Sequence, residues 1–135
     1  MGTNILCRNN VKVQEVTTAV TEATNGSSYL LIPGSGDGVS DGEQAFRAYF
    51  SLTVANGTSP TLDAKLQTSW DGSTWVDVVS AKQLVGAGSG AETKDITAAL
   101  GPYVRGVLTP GGTAAGDSTC DIRLLSTAPF SLKAA

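Results

Sequence analysis

Residues 45–79 read AFRAYFSLTVANGTSPTLDAKLQTSWDGSTWVDVV, and this stretch decides the fold class. Phe46, Ala48, Phe50, Leu52 and Val54 fall on one face of a period-two pattern, while Ala45, Arg47, Tyr49, Ser51 and Thr53 fall on the other. Such alternation is the pattern of a half-buried strand. Leu62, Ala64 and Leu66 repeat it against Asp63, Lys65 and Gln67. Asp71-Gly72 then supplies a tight turn, after which Trp75, Asp77 and Val79 alternate with Val76 and Val78. The reading is three consecutive strands in a meander.

Strand signals continue on both sides. VKVQEVTTAVTEA, residues 11–23, is rich in Val and Thr, and its composition favours strand over helix. Asn25-Gly26 breaks it, and Tyr29-Leu30-Leu31-Ile32 is a short apolar strand stopped by Pro33. Residues 81–85 and 92–96 read as short strands, and residues 86–90 between them as a flexible glycine loop. Residues 95–101 look like one helical turn with a glycine stop. Alternation resumes in PYVRGVLT, residues 102–109, with Tyr103, Arg105 and Val107 against Val104 and Leu108. Pro110-Gly111-Gly112-Thr113 reads as a turn, and STCDIRLLS, residues 118–126, as the last good strand. About eight short strands with turn chemistry between them predict an all-β fold, an antiparallel β-sandwich or jelly-roll-like barrel. The expected organisation is an extended N-terminal arm over residues 1–10, a sandwich over 11–126 and a tail over 127–135. The tail carries Phe130 and Leu132, so it can dock on the domain or on a partner.

Composition narrows the function. The 135 residues suit one domain able to bury a core without disulfides or metal. Charged residues make up 16%, the net charge is −3 and the arginines are scattered, which argues against a nucleic-acid module. Cys7 and Cys120 allow one disulfide on count alone, and two unbonded thiols are the reading preferred, since no secretory context supports a disulfide framework. The N-terminus lacks a signal-peptide pattern and no apolar run approaches a membrane span, which points to a soluble protein made in a cytoplasm. The chain has no histidine, which removes the commonest general base and metal ligand. The carboxylates sit at turns or on polar strand faces, so no enzyme and no cofactor are expected. GSGDGVSDGE, residues 34–43, offers Asp37, Asp41 and Glu43. Their spacing matches no calcium motif, and a solvated loop is the reading preferred over an ion site. Trp70 and Trp75 flank the Asp-Gly turn; at least one is expected to cap the core, with a sugar-stacking platform as the alternative.

The stretches LDAKLQTSWDGSTWVDVV (62–79), TKDITAALGPYVRGVLTPGGT (93–113) and CDIRLL (120–125) together resemble small all-β virion proteins of tailed bacteriophages. In that group an alternating strand leads into S-x-D-G-x-x-W, here Ser69, Asp71, Gly72 and Trp75, followed by a "GPYVR" strand and a closing apolar strand. The resemblance covers residues 45–126. It implies a capsid decoration (cement) protein on the virion surface, made in the host cytoplasm, or another head or tail component. It implies the major capsid protein as partner and no catalytic residues. A closed homo-oligomer, a trimer first, suits a lattice-bound protein. The expected contact elements are the arm, with Gly2, Thr3, Asn4, Ile5, Leu6 and Arg8, the 34–43 loop, with Asp37 and Asp41, and residues 86–90. An arm of this kind can add a strand to a neighbour's sheet edge. No nucleic acid and no membrane are expected as partners. A tail or fibre component and a carbohydrate-binding module are the alternatives.

Overall fold

A computed structural model describes residues 9–20, 24–33, 46–55, 58–113, 118–127 and 130–135. They form two antiparallel sheets packed face to face, a β-sandwich. The first sheet has the order β1-β10-β4-β8, with β1 Asn9–Val20, β10 Ser118–Ser126, β4 Phe46–Val54 and β8 Gly88–Ile96. The second has the order β11-β3-β9-β5-β6, with β11 Phe130–Ala134, β3 Tyr29–Pro33, β9 Tyr103–Thr113, β5 Thr58–Ser69 and β6 Trp75–Ser80. Two short strands complete it: β2, Thr24–Asn25, pairs with β9, and β7, Leu84–Val85, pairs with β5.

The core follows from the alternation. Along β4, Ala48, Phe50, Leu52 and Val54 are buried while Arg47, Tyr49 and Ser51 are half-exposed and Thr53 is exposed. β10 buries Cys120, Ile122 and Leu124 beside them. The facing sheet answers with Leu62, Ala64 and Leu66 from β5 and Val104 and Leu108 from β9. Phe130 of the tail enters the core and meets Phe46 edge-on, with ring centroids 5.7 Å apart. The tail thus pairs with β3 within the domain. Asn9 and Asn10 pair with Ser126 and Leu125 at the start of β1.

Several local readings need correction. β4 and β5 are not neighbours: β4 pairs with β10 and β8, whereas β5 pairs with β9, β6 and β7. Of these three strands, only β5 and β6 form a hairpin. Two strands that each bury one face can share a core from opposite sheets, and alternation does not distinguish this from pairing. Gly88–Gly90 is not a loop but the start of β8, paired with Val54, Thr53 and Leu52. Residues 97–101 contain no helical turn. Pro110-Gly111 does not turn either: β9 runs on to Thr113, pairing Pro110 with Leu62. β2 leaves β9 at Leu108, so β9 beyond that point pairs only with β5 among the described residues. A proline is tolerated in such an edge position.

β5 and β6 also differ from strict alternation. Leu66 pairs with Val79 but Gln67 pairs with Asp77, leaving Val78 as an extra residue. This β-bulge rotates the strand by one position. Val79 consequently packs against the core, while Asp77 and Trp75 lie on the outer face opposite Gln67 and Ser69.

Candidate interaction surface

The β5–β6 hairpin carries a rigid tip. Gly72 adopts φ 83°, a left-handed conformation that favours glycine. The Ser69 hydroxyl accepts the Gly72 N–H at 2.8 Å and donates to Asp71 Oδ1 at 3.0 Å. The same carboxylate oxygen accepts the backbone N–H groups of Ser73 and Thr74, both at 2.8 Å. Those backbone donors, Thr74 ahead of Ser73, hold the Asp71 pKa at about 2, below the ordinary 3.8. A carboxyl with a depressed native pKa stabilises the fold above its unfolded pKa, and the contribution is lost as pH falls through the native one. The Ser73 and Thr74 amide resonances should therefore titrate together with a midpoint near pH 2. Acidification from pH 3.8 towards 2 should loosen the tip, and Asp71→Ala should abolish the titration. A midpoint at 3.8 or above would contradict the hydrogen-bonded tip.

Beside the tip stands a second motif. β9 places Tyr103 opposite Ser69 and Arg105 opposite Gln67. Arg105 Nε donates to Gln67 Oε1 at 2.8 Å, and Gln67 Nε2 donates to Asp77 Oδ1 at 2.8 Å. Lys65 Nζ lies 3.1 Å from Asp77 Oδ1. The Gln67 bond, then that of Lys65, lowers the Asp77 pKa. The Arg105 guanidinium carbon sits 4.3 Å from the centroid of the Trp75 ring, within cation–π range. A row from Lys65 through Asp77, Gln67 and Arg105 to Trp75 thus crosses the outer face of three strands.

Trp70 directly follows β5, at the start of the tip. Gly101 donates its N–H to Thr68 Oγ1 at 2.7 Å and comes so close to β5 that an added Cβ would stand 2.5 Å from the Ser69 carbonyl oxygen. The same Cβ would lie 3.0 Å from Trp70 Cδ2, so the indole rests against the Gly101 backbone. Trp70 remains 65% exposed, and Val76 on the same hairpin 55%. The expectation that a tryptophan caps the core is overturned: Trp70 stands in solvent and Trp75 is half-buried beneath Arg105 on the outer face.

The other sequence-derived contact residues are not tested by this arrangement. Gly2, Thr3, Asn4, Ile5, Leu6, Arg8, Asp37 and Asp41 lie outside the described residues, as do Cys7 and Glu43. Among the described residues no three His, Cys, Asp or Glu side chains group together as metal ligands. Cys120 is buried in the core. Sequence reading missed Gln67, Tyr103 and Arg105. Their period-two positions marked them as outward-facing, but only strand pairing brings them to Trp75. Comparison with protein-family models found no match, and no curated protein matches the chain.

Proposed function

We propose that this chain is a non-enzymatic structural protein of a tailed-phage virion, one that binds the outside of the capsid and stabilises the shell. The observation that carries the reading is the convergence of its two resemblance motifs. Ser69-x-Asp71-Gly72-x-x-Trp75 and Gly101-Pro102-Tyr103-Val104-Arg105 are distant in sequence, yet β5–β9 and β5–β6 pairing brings them side by side. An exposed tryptophan fixed on backbone loses little freedom when a partner covers it, which is how interface anchors work. Repetition over a lattice then multiplies a modest single contact. Capsids lacking the protein should take it up to a saturating stoichiometry fixed by the lattice and should then resist heat or denaturant longer. Uptake without saturation, or without a gain in shell stability, would refute the cement role.

A second reading draws on the same exposed ring. An exposed indole packed against the Gly101 backbone can stack on a sugar ring, which would make the domain a carbohydrate-binding module. Glycans would then quench tryptophan emission, and no response across a broad panel removes that reading.

A further inference from the structure

At the edge of the first sheet opposite β1, β8 pairs with β4 on one side and, among the described residues, with no strand on the other. The backbone N–H and C=O groups along such an edge are a template for another strand. Register partners share a face of the sheet, so Glu92, Lys94 and Ile96, opposite Phe50, Ala48 and Phe46, lie on the core side. All three are half-buried, while Thr93 and Asp95 between them are exposed on the outer face. Glu92 Oε2 accepts the Lys82 backbone N–H at 2.6 Å, which holds the carboxylate at the rim of the sandwich. Lys94 Nζ lies 3.7 Å from Glu92 Oε1, a loose pair between residues of one strand. An inward charge on an edge strand normally resists a strand laid against it, because covering the edge would leave that charge buried without a partner. Two opposite charges two positions apart change this for one kind of neighbour, a strand that sets the complementary charge across from each. A second β8 running antiparallel is such a strand.

We propose that two copies of this chain pair β8 to β8 about a two-fold axis at Thr93, joining their first sheets into one continuous antiparallel sheet. Thr93 then stands opposite its own copy, Ala91 opposite Asp95, and Glu92 opposite Lys94, the last two pairings each occurring twice by symmetry. Centring one residue away, on Glu92 or on Lys94, would set like charges against each other, so the charges select this register. The same register brings Ile96 beside the other copy's Gly90. Gly90 lines a cleft of about 520 Å³ whose walls include Phe50, Leu52 and Leu84. An added Cβ at Gly90 would meet only Leu84 Cδ1, at 3.9 Å, which leaves room for an apolar side chain arriving from outside. The second copy thus covers the apolar cleft as well as the strand edge. The assembly so formed is a closed dimer, in place of the trimer expected of a lattice-bound protein.

The test is self-association of the full chain by light scattering and sedimentation, without any capsid. The wild type should be dimeric. Lys94→Glu should weaken the dimer about tenfold or more, because carboxylates then face each other at both ends of the pairing. Glu92→Lys should do the same with ammonium groups. Mixing the two variants should restore a dimer containing one copy of each. Lys94→Glu leaves the bond between Glu92 and the Lys82 backbone in place, so it tests the interface even if Glu92→Lys fails to fold. A monomeric wild type, a Lys94→Glu variant that dimerises as tightly as the wild type, or a mixture of folded variants that stays monomeric overturns the proposal. The pairing does not rest on the capsid role, and no shell is present, so failure here is distinguishable from failure of the capsid reading.

Discussion

Truncating Phe50 to alanine should lower the unfolding free energy by about 3–5 kcal/mol, the usual cost of removing a buried phenyl ring and leaving its cavity. Phe50 is 1% exposed and sits in the middle of β4 between β10 and β8. Its register partner Ile122 and Leu52, two residues along β4, are themselves in the core, and a close-packed interior relaxes only partly around such a hole. Against a typical total of about 5–15 kcal/mol this is a large fraction, corresponding to a fall of about 10–20 °C in Tm for a chain of this size. Thr53, on the outer face of the same strand, is exposed, and Thr53→Ala should change stability by only about 0.5 kcal/mol. Denaturant melts of the two variants check both numbers. A loss under about 1 kcal/mol at Phe50 would place that face of β4 outside the core.

Under the proposed capsid role, replacing Trp70 by alanine should cost shell binding about 2 kcal/mol or more, roughly a thirty-fold loss of affinity, while leaving the fold almost untouched. Both halves of this expectation come from one geometry. The ring is 65% exposed, so the folded monomer gains little from it. It rests on Gly101, whose N–H bond to Thr68 Oγ1 does not depend on the indole. The hairpin tip is held by Ser69 and Asp71, which the substitution leaves alone. Binding isotherms on capsids lacking the protein, alongside melts of the free variant, measure the two quantities. A variant that binds normally would move the contact away from this surface. A variant that unfolds would assign Trp70 a packing role.

Period-two patterning carried much of the architecture. β10 alternates buried and half-exposed residues along its whole length, and the sequence CDIRLL states that directly. β4 was legible for the same reason. Features made by partners distant in sequence were not. Gly88-Ser89-Gly90 carries no apolar signal and is a strand because β4 offers it a backbone ladder. Pro110-Gly111 has turn chemistry, yet β5 holds it extended. The bulge at Val78 inverts the faces after Asp77, which no period-two count can anticipate. Gly101 looked like a helix stop, whereas its lack of a side chain serves the close approach to Ser69 and Trp70.

The interaction surface divides along the same line. Asp71-Gly72 and its flanking tryptophans stand out in the sequence because turn chemistry is local. The Arg105–Gln67–Asp77 row does not, because it depends on register across three strands. Surface ion pairs such as Arg47–Asp95, at 2.7 Å, add little stability, since solvent screens them. Rigidity at the tip comes instead from backbone N–H groups fixed on Asp71 and Ser69.

The most direct test of the proposed capsid-surface role is the copy number of this chain in purified particles of any tailed phage whose genome is found to encode it, measured by quantitative mass spectrometry against the major capsid protein. A decoration protein should appear in a fixed, lattice-scale ratio to the shell. A few copies per particle, or none, would contradict that reading and favour a tail part or a free sugar-binding module.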